Sequence, residues 1–295
     1  KHRIRGCGSH PPVQGIVTGE NALFRGWRES TASLSLVCWA VIRGRVSFMR
    51  SRLSPATVMI GLVLAGLLAG AVLIQMAISR PWLALAFTAD DSGIIHVTPA
   101  SGVDGSAIVS GPIAAIRGSD GRRVAIEAGD LIEEPDTLAT YAEMRRFFAR
   151  QSMLEGVVSG RSVSIETAGA RPAQQTTLAP ARMRPISDLP AAFWVQMLVG
   201  LASFLIGGWV WALRRSDTAA RLFALASLGI LVFTFPAALY STRELAIDGD
   251  LFRALSVMNH GGALLFGAAM IALLLRYPRP LVPARWLWAP FALFG

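Results

Sequence analysis

The chain has 295 residues, 53% of them hydrophobic and 16% charged, with a formal net charge of +9. Residues 1–48 hold seven Lys/Arg against two Glu, so most of the excess sits in a basic leader and the balance does not point to nucleic acid. Both cysteines, Cys7 and Cys38, lie in that leader, which excludes a disulfide framework or thiolate metal site from Met49 onward.

Residues 1–48 show neither helical nor strand periodicity. Met49-Arg50-Ser51-Arg52 ahead of an apolar run has the form of a genuine N-terminus with a basic n-region. The leader reads as translated upstream sequence or as a disordered basic tail. Four charge-free stretches follow, at 53–79, 189–213, 222–242 and 254–275. Each reaches the roughly 20 residues that an α-helix needs to cross about 30 Å of hydrocarbon. The expected fold class is a multi-pass α-helical membrane protein. The first run exceeds a signal-peptide core, and Arg80-Pro81 follows it in place of a small-residue cleavage site, so an uncleaved helix is expected. Within it, Gly66 and Gly70 form a GxxxG spacing suited to tight helix packing or a dimer seam. A fifth run from Leu287 to Gly295 reads as the start of a truncated fifth span, with a short interfacial tail anchored by Trp286 and Trp288 as the alternative.

The arginines set an orientation. Arg50 and Arg52, then Arg214, Arg215 and Arg221, then Arg276, Arg279 and Arg285 mark three short segments as cytoplasmic, whereas residues 243–253 carry net −1. The N-terminus is then cytoplasmic and residues 80–188 extracytoplasmic.

That polar segment is long enough for one small α+β domain. Trp82–Phe87 and Gly93–Val97 read as buried strands, and 101–123, rich in Gly and Ser, as an insertion. Thr140-Tyr141-Ala142-Glu143 is a capping-box pattern opening a helix to about Gln151, with Tyr141, Met144, Phe147 and Phe148 near one face. Val163, Ile165 and Thr167 alternate with Ser162, Ser164 and Glu166, and residues 174–178 return as the partner strand. In that order, with Gly129-Asp130-Leu131-Ile132 before the helix, these residues resemble a bacterial PDZ domain. The resemblance implies a peptide groove along Leu83, Ala84, Leu85, Ala86 and Phe87, where backbone amides of a Gly-rich loop hold a terminal carboxylate. This stretch has no glycine.

No H-E-x-x-H, G-x-S-x-G or phosphate-loop motif occurs, so no catalytic, cofactor or metal constellation is expected here. Asn259 and His260, inside the fourth span, are a candidate intramembrane polar site, for proton or ligand sensing or for an interhelical hydrogen bond. Trp194, Trp209 and Trp211 read as interface anchors, and Pro236 as a kink in the third span.

The layout resembles the sensory half of a membrane histidine kinase. The residues that carry it are Arg80-Pro81-Trp82-Leu83, Phe193-Trp194, Trp211-Ala212-Leu213-Arg214-Arg215, the external Tyr240-Ser241-Thr242-Arg243-Glu244, and Leu275-Arg276-Tyr277-Pro278. The resemblance implies an inner-membrane input region in two-component signal transduction. A phosphoacceptor histidine and an ATP- and Mg-binding domain would follow Gly295, and the partners would be membrane lipid, a second copy, a response regulator and an external protein or peptide. The rival readings are a membrane adaptor whose PDZ-like domain holds a protein partner, and a truncated transporter or intramembrane enzyme.

Overall fold

A computed structural model describes residues 54–100, 110–168 and 175–294. The leader, Leu53, residues 101–109 of the expected insertion, the turn at 169–174 and Gly295 lie outside the described residues. In chain order the elements are α1 (Pro55–Ile78), β1 (Leu85–Ala89), β2 (Ile95–Pro99), β3 (Gly111–Gly118), β4 (Arg123–Ala125), α2 (Tyr141–Val158), β5 (Val163–Thr167), β6 (Gln175–Leu178), α3 (Ala191–Leu213), α4 (Thr218–Ser241), α5 (Gly249–Arg276) and α6 (Ala289–Phe294).

Helices α1, α3, α4 and α5 are long and apolar enough to cross a membrane, which marks the chain as membrane-embedded. Their starts follow local chemistry. Ser54 Oγ accepts from Thr57 N at 3.1 Å with Pro55 at the first turn, Asp217 Oδ1 accepts from Ala219 N, and Asp248 Oδ1 accepts from Leu251 N, both at 2.9 Å. Helix α4 is central: 56% of its apolar window is buried, against 17% for α1. The side chains of Ile60, Leu64, Leu67 and Leu68 on α1 face outward, as a lipid-facing surface requires. The run expected as a fifth span is the six-residue α6, whose Phe291 packs with Leu287 against Leu222, Leu225 and Ala269 of α4 and α5.

Helices α4 and α5 approach backbone to backbone. A Cβ on Gly229 would lie 2.7 Å from Phe266 N, and one on Gly262 would lie 2.5 Å from Phe233 N, so backbone meets backbone there. Gly66 and Gly70 face α3 of the same chain instead, where a Cβ would meet Leu201 at 3.4 and 3.7 Å, ordinary side-chain packing.

The polar segment folds as an antiparallel sheet in the order β1-β2-β3-β5-β6, with β4 also on β3 and α2 packed over it. Residues 101–123 are not a simple insertion: β3 lies inside them and is the central strand, pairing with β2, β4 and β5. Its Ile113, Ala115 and Ile116 are buried, and the Gly-Ser run before it masked that apolar core. Helix α2 carries the expected capping box, with Thr140 Oγ1 accepting from Glu143 N and Glu143 Oε2 accepting from Thr140 N. It runs to Val158, seven residues beyond the expected end at Gln151, because Leu154, Val157 and Val158 continue its buried face. Tyr141 is exposed rather than on that face. Glu166, expected on the polar side of β5, is buried between Arg117 and Arg123, at 2.9 and 2.6 Å.

Gly262→Leu should force α4 and α5 apart and cost about 1–3 kcal/mol by overpacking, whereas Gly70→Ala should be near neutral. Thermal unfolding in detergent checks this; equal melting temperatures for the two variants would contradict the assigned helix contacts.

Candidate functional site

The connection between α4 and α5 begins with Thr242-Arg243-Glu244, and Leu245-Ala246-Ile247 follows, an unusually apolar sequence for an exposed turn. Instead of looping into solvent it enters the sheet domain. Glu244 Oε2 accepts from Leu83 N at 2.7 Å and its Oε1 from Leu85 N at 3.2 Å. Leu245 is 1% exposed and belongs to the domain's own core, with Leu83, Leu85, Val97, Leu154 and Val158.

Backbone geometry makes the carboxylate site. Ala84 has φ of +62°, a left-handed conformation that turns the flanking amides of Leu83 and Leu85 to one side. Its carbonyl accepts from Ala100 N at 2.8 Å, which helps to hold that turn. A side chain at such φ costs about 1–2 kcal/mol, offset here by two charge-assisted hydrogen bonds. Burial pushes the Glu244 carboxyl up; the Leu83 and Leu85 amides and the Arg184 guanidinium pull it partly back.

The rest of the connection locks the domain to the helices. Arg243 lies over the rings of Phe252 and Phe147, at 5.0 and 5.9 Å, and donates to the Ile132 carbonyl. Burial lowers its guanidinium to about 10, against the raising influence of Glu133 and Asp130, so it stays charged. Gly249 at the start of α5 lies so close to α2 that a Cβ would fall 2.0 Å from Phe148 O, so only glycine fits. Gly249 N donates to Ser152 Oγ at 2.9 Å, and Ser152 Oγ donates to Asp248 Oδ2 at 3.2 Å. Below this, one apolar cluster draws Leu73 and Ala77 from α1, Phe147 and Phe148 from α2, Phe193 from α3, Leu239 and Tyr240 from α4, and Phe252 and Leu255 from α5. The Tyr240 hydroxyl donates to Glu134 Oε1 at 3.0 Å.

On the opposite wall, Trp82 and Ala181 exchange backbone hydrogen bonds at 3.0 and 2.8 Å, joining the exit of α1 to the approach to α3. Arg184 Nη1 donates to Thr242 O at 2.6 Å and its Nη2 to Asp188 O at 2.5 Å. Between these walls is a cavity of about 210 Å³ whose lining includes Arg80, Trp82, Glu155, Arg184 and Glu244.

The expected groove residues Leu83 to Phe87 therefore border this joint. Leu83 and Leu85 are buried, Ala84 and Phe87 half-buried and Ala86 exposed. Asn259 and His260 are not brought to it. Asn259 Nδ2 donates to Phe233 O on α4 at 2.9 Å. His260 Nδ1 donates to Ser256 O at 2.7 Å, leaving Nε2 3.6 Å from Asp136 of the sheet domain. Gly129-Asp130 has a local role: Arg150 donates to Asp130 Oδ1 and Oδ2 at 2.7 and 2.6 Å, and Asp130 is 1% exposed.

Sequence reasoning missed Glu244, Arg80 and Arg184 as site residues. The apolar Leu245-Ala246-Ile247 in a short charged connection was the available signal. No family model, curated protein or solved structure matches the chain.

Glu244→Ala would leave the Leu83 and Leu85 amides unpaired at about 1–3 kcal/mol each, while Ala84→Gly should relieve the strain and raise stability. Because the folded Glu244 carboxyl is raised, the protonation-linked part of its contribution is fully present below the usual glutamate range and is lost as pH rises through the raised value, while the Leu83 and Leu85 hydrogen bonds remain. Glu244→Gln should flatten that part of the stability profile. Melting temperatures from pH 4 to 8 check all three; Glu244→Ala melting with the parent would contradict the clamp.

Proposed function

We propose that the chain is the sensory input region of an inner-membrane histidine kinase, with its N-terminus cytoplasmic and residues 80–188 forming an extracytoplasmic PDZ-like domain. The observation that carries the reading is the seating of Glu244 and Leu245, from the α4–α5 connection, between β1 and α2 of the sheet domain. A stimulus that shifts β1 against α2 must move the connection, and with it the ends of two membrane helices. Transmission then requires only that the stimulus bind the seated and unseated arrangements with different free energies.

The same observation favours input over the adaptor reading. In the PDZ resemblance the groove takes a partner's carboxylate and apolar side chain; Glu244 on the Leu83 and Leu85 amides and Leu245 in the sheet-domain core support a reading in which the protein's own connection takes that role. The kinase itself, with its ATP, Mg and response regulator, belongs to the expected continuation past Gly295, as do further spans. A second copy would use the outward face of α1, where Leu64, Leu67 and Leu68 are exposed.

The test is the product of the complete reading frame, reconstituted in proteoliposomes with radiolabelled ATP and Mg. It should take up acid-labile, alkali-stable phosphate, and Glu244→Ala should change the rate several-fold. No incorporation, or a rate indifferent to Glu244, would overturn the reading.

A further inference from the structure

We infer that the cavity between the exit of α1 and the α4–α5 connection is a binding site for a small oxyanion, presenting carboxylate or phosphate oxygens. Among the described residues, five buried side-chain nitrogen or oxygen atoms have no hydrogen-bond partner, and four are donors: Arg80 Nη1 and Nη2, Trp82 Nε1 and Arg184 Nε. All three residues line this one cavity. Buried polar groups are ordinarily satisfied by protein, ordered water or ligand, so a cluster of unpaired donors beside one cavity marks it as a place for an acceptor.

Five of the six carboxylate oxygens that Glu155, Glu244 and Asp248 bring to that wall already accept a hydrogen bond. The Glu244 oxygens take the Leu83 and Leu85 amides, Glu155 Oε1 accepts from Ser159 Oγ at 2.5 Å, and Asp248 accepts from Leu251 N and Ser152 Oγ. Glu155 attracts Arg80 through space without a hydrogen bond. Burial lowers the Arg80 guanidinium to about 10, so it is a cation at neutral pH. The lining balances Arg80, Arg184 and Arg243 against Glu155, Glu244 and Asp248, so it is the unpaired guanidinium and indole N–H donors, not net charge, that match an oxyanion. At about 210 Å³ the space is below the ~300 Å³ at which drug-sized ligand pockets begin. The ligand is therefore of the size of phosphate or a short dicarboxylate, or is the headgroup phosphate of a lipid beside α1. An anion there would bridge the α1 exit at Arg80 to Arg184, whose Nη1 already holds the Thr242 carbonyl. The inference rests on the sensory reading only where it makes the anion a stimulus; the site stands on its own donors.

The test is ¹⁹F NMR of the full chain carrying 5-fluorotryptophan in phosphate-free maltoside micelles, with the Trp82 resonance assigned by Trp82→Phe. Inorganic phosphate, succinate and, separately, dioleoylphosphatidylglycerol are titrated at constant ionic strength. The expected result is a saturable shift of the Trp82 resonance, weakened at least tenfold in Arg80→Gln and partly retained in Arg80→Lys, with the other tryptophan resonances unmoved. A shift with the dissolved anions identifies a free ligand; a shift with the lipid alone identifies its headgroup. No shift of the parent protein with any of the three overturns the site. A shift without any change in phosphorylation leaves the site and removes its role as stimulus. Phosphorylation that responds to Glu244 with no shift removes the site alone.

Discussion

One carboxylate on two backbone amides decides how this molecule is organised. Glu244 comes from the connection between two apolar helices and ends on Leu83 and Leu85, some 160 residues earlier in the chain. Those amides face it because Ala84 is held in a left-handed turn. Beside the clamp, Leu245 enters the core of the sheet domain, where it is 1% exposed. Burying one leucine contributes about 1.5–3 kcal/mol, comparable to the hydrogen bonds beside it. The two effects reinforce each other, since the leucine excludes water from the carboxylate and the carboxylate fixes the leucine's register.

The joint also uses the length of α5. Its 28 residues amount to about 42 Å of helix, well beyond the ~30 Å of hydrocarbon. The surplus first turns are not idle: Gly249 abuts α2, and Phe252 lies edge-on to Phe147 and Phe148 at 5.4 and 5.8 Å. Polar domain and helices thus share one apolar cluster. Arg243 sits in that cluster through cation–π contacts and the Ile132 carbonyl instead of a direct ion pair, a position that suits arginine's weakly hydrated guanidinium better than lysine. His260 falls beside Asp136 of the sheet domain, so it lies against the domain's edge and not among the helix contacts.

Much of the fold was legible because lipid and helix caps write strong local signals. Four charge-free stretches became four helices, and Thr140 with Glu143 placed the start of α2 to the residue. Ends were harder, since α2 continues to Val158 on tertiary contacts that Gln151 gave no hint of. The central strand β3 was hidden behind a Gly-Ser run, and Glu166 read as surface because its two arginines come from β3 and β4. The small-residue pattern at Gly66 and Gly70 drew notice by its spacing, while Gly229 and Gly262, on different helices, make the tighter approach. Glu244 was illegible for the same reason: its meaning depends on Leu83 and Leu85, and no local pattern links the two. Only the apolar character of Leu245-Ala246-Ile247 hinted that this connection is buried.

The central claim is that the α4–α5 connection is seated in the sheet domain in the membrane-embedded protein. Disulfide trapping tests it most directly, using Ser152→Cys with Asp248→Cys in a background where Cys7 and Cys38 are serine. Ser164→Cys with Thr177→Cys, whose hydroxyls are 2.8 Å apart across β5 and β6, reports that the sheet itself is formed. The account predicts that both pairs oxidise readily in native membranes, and that Glu244→Ala slows only the first. A sheet pair that cross-links beside a Ser152–Asp248 pair that does not would contradict it.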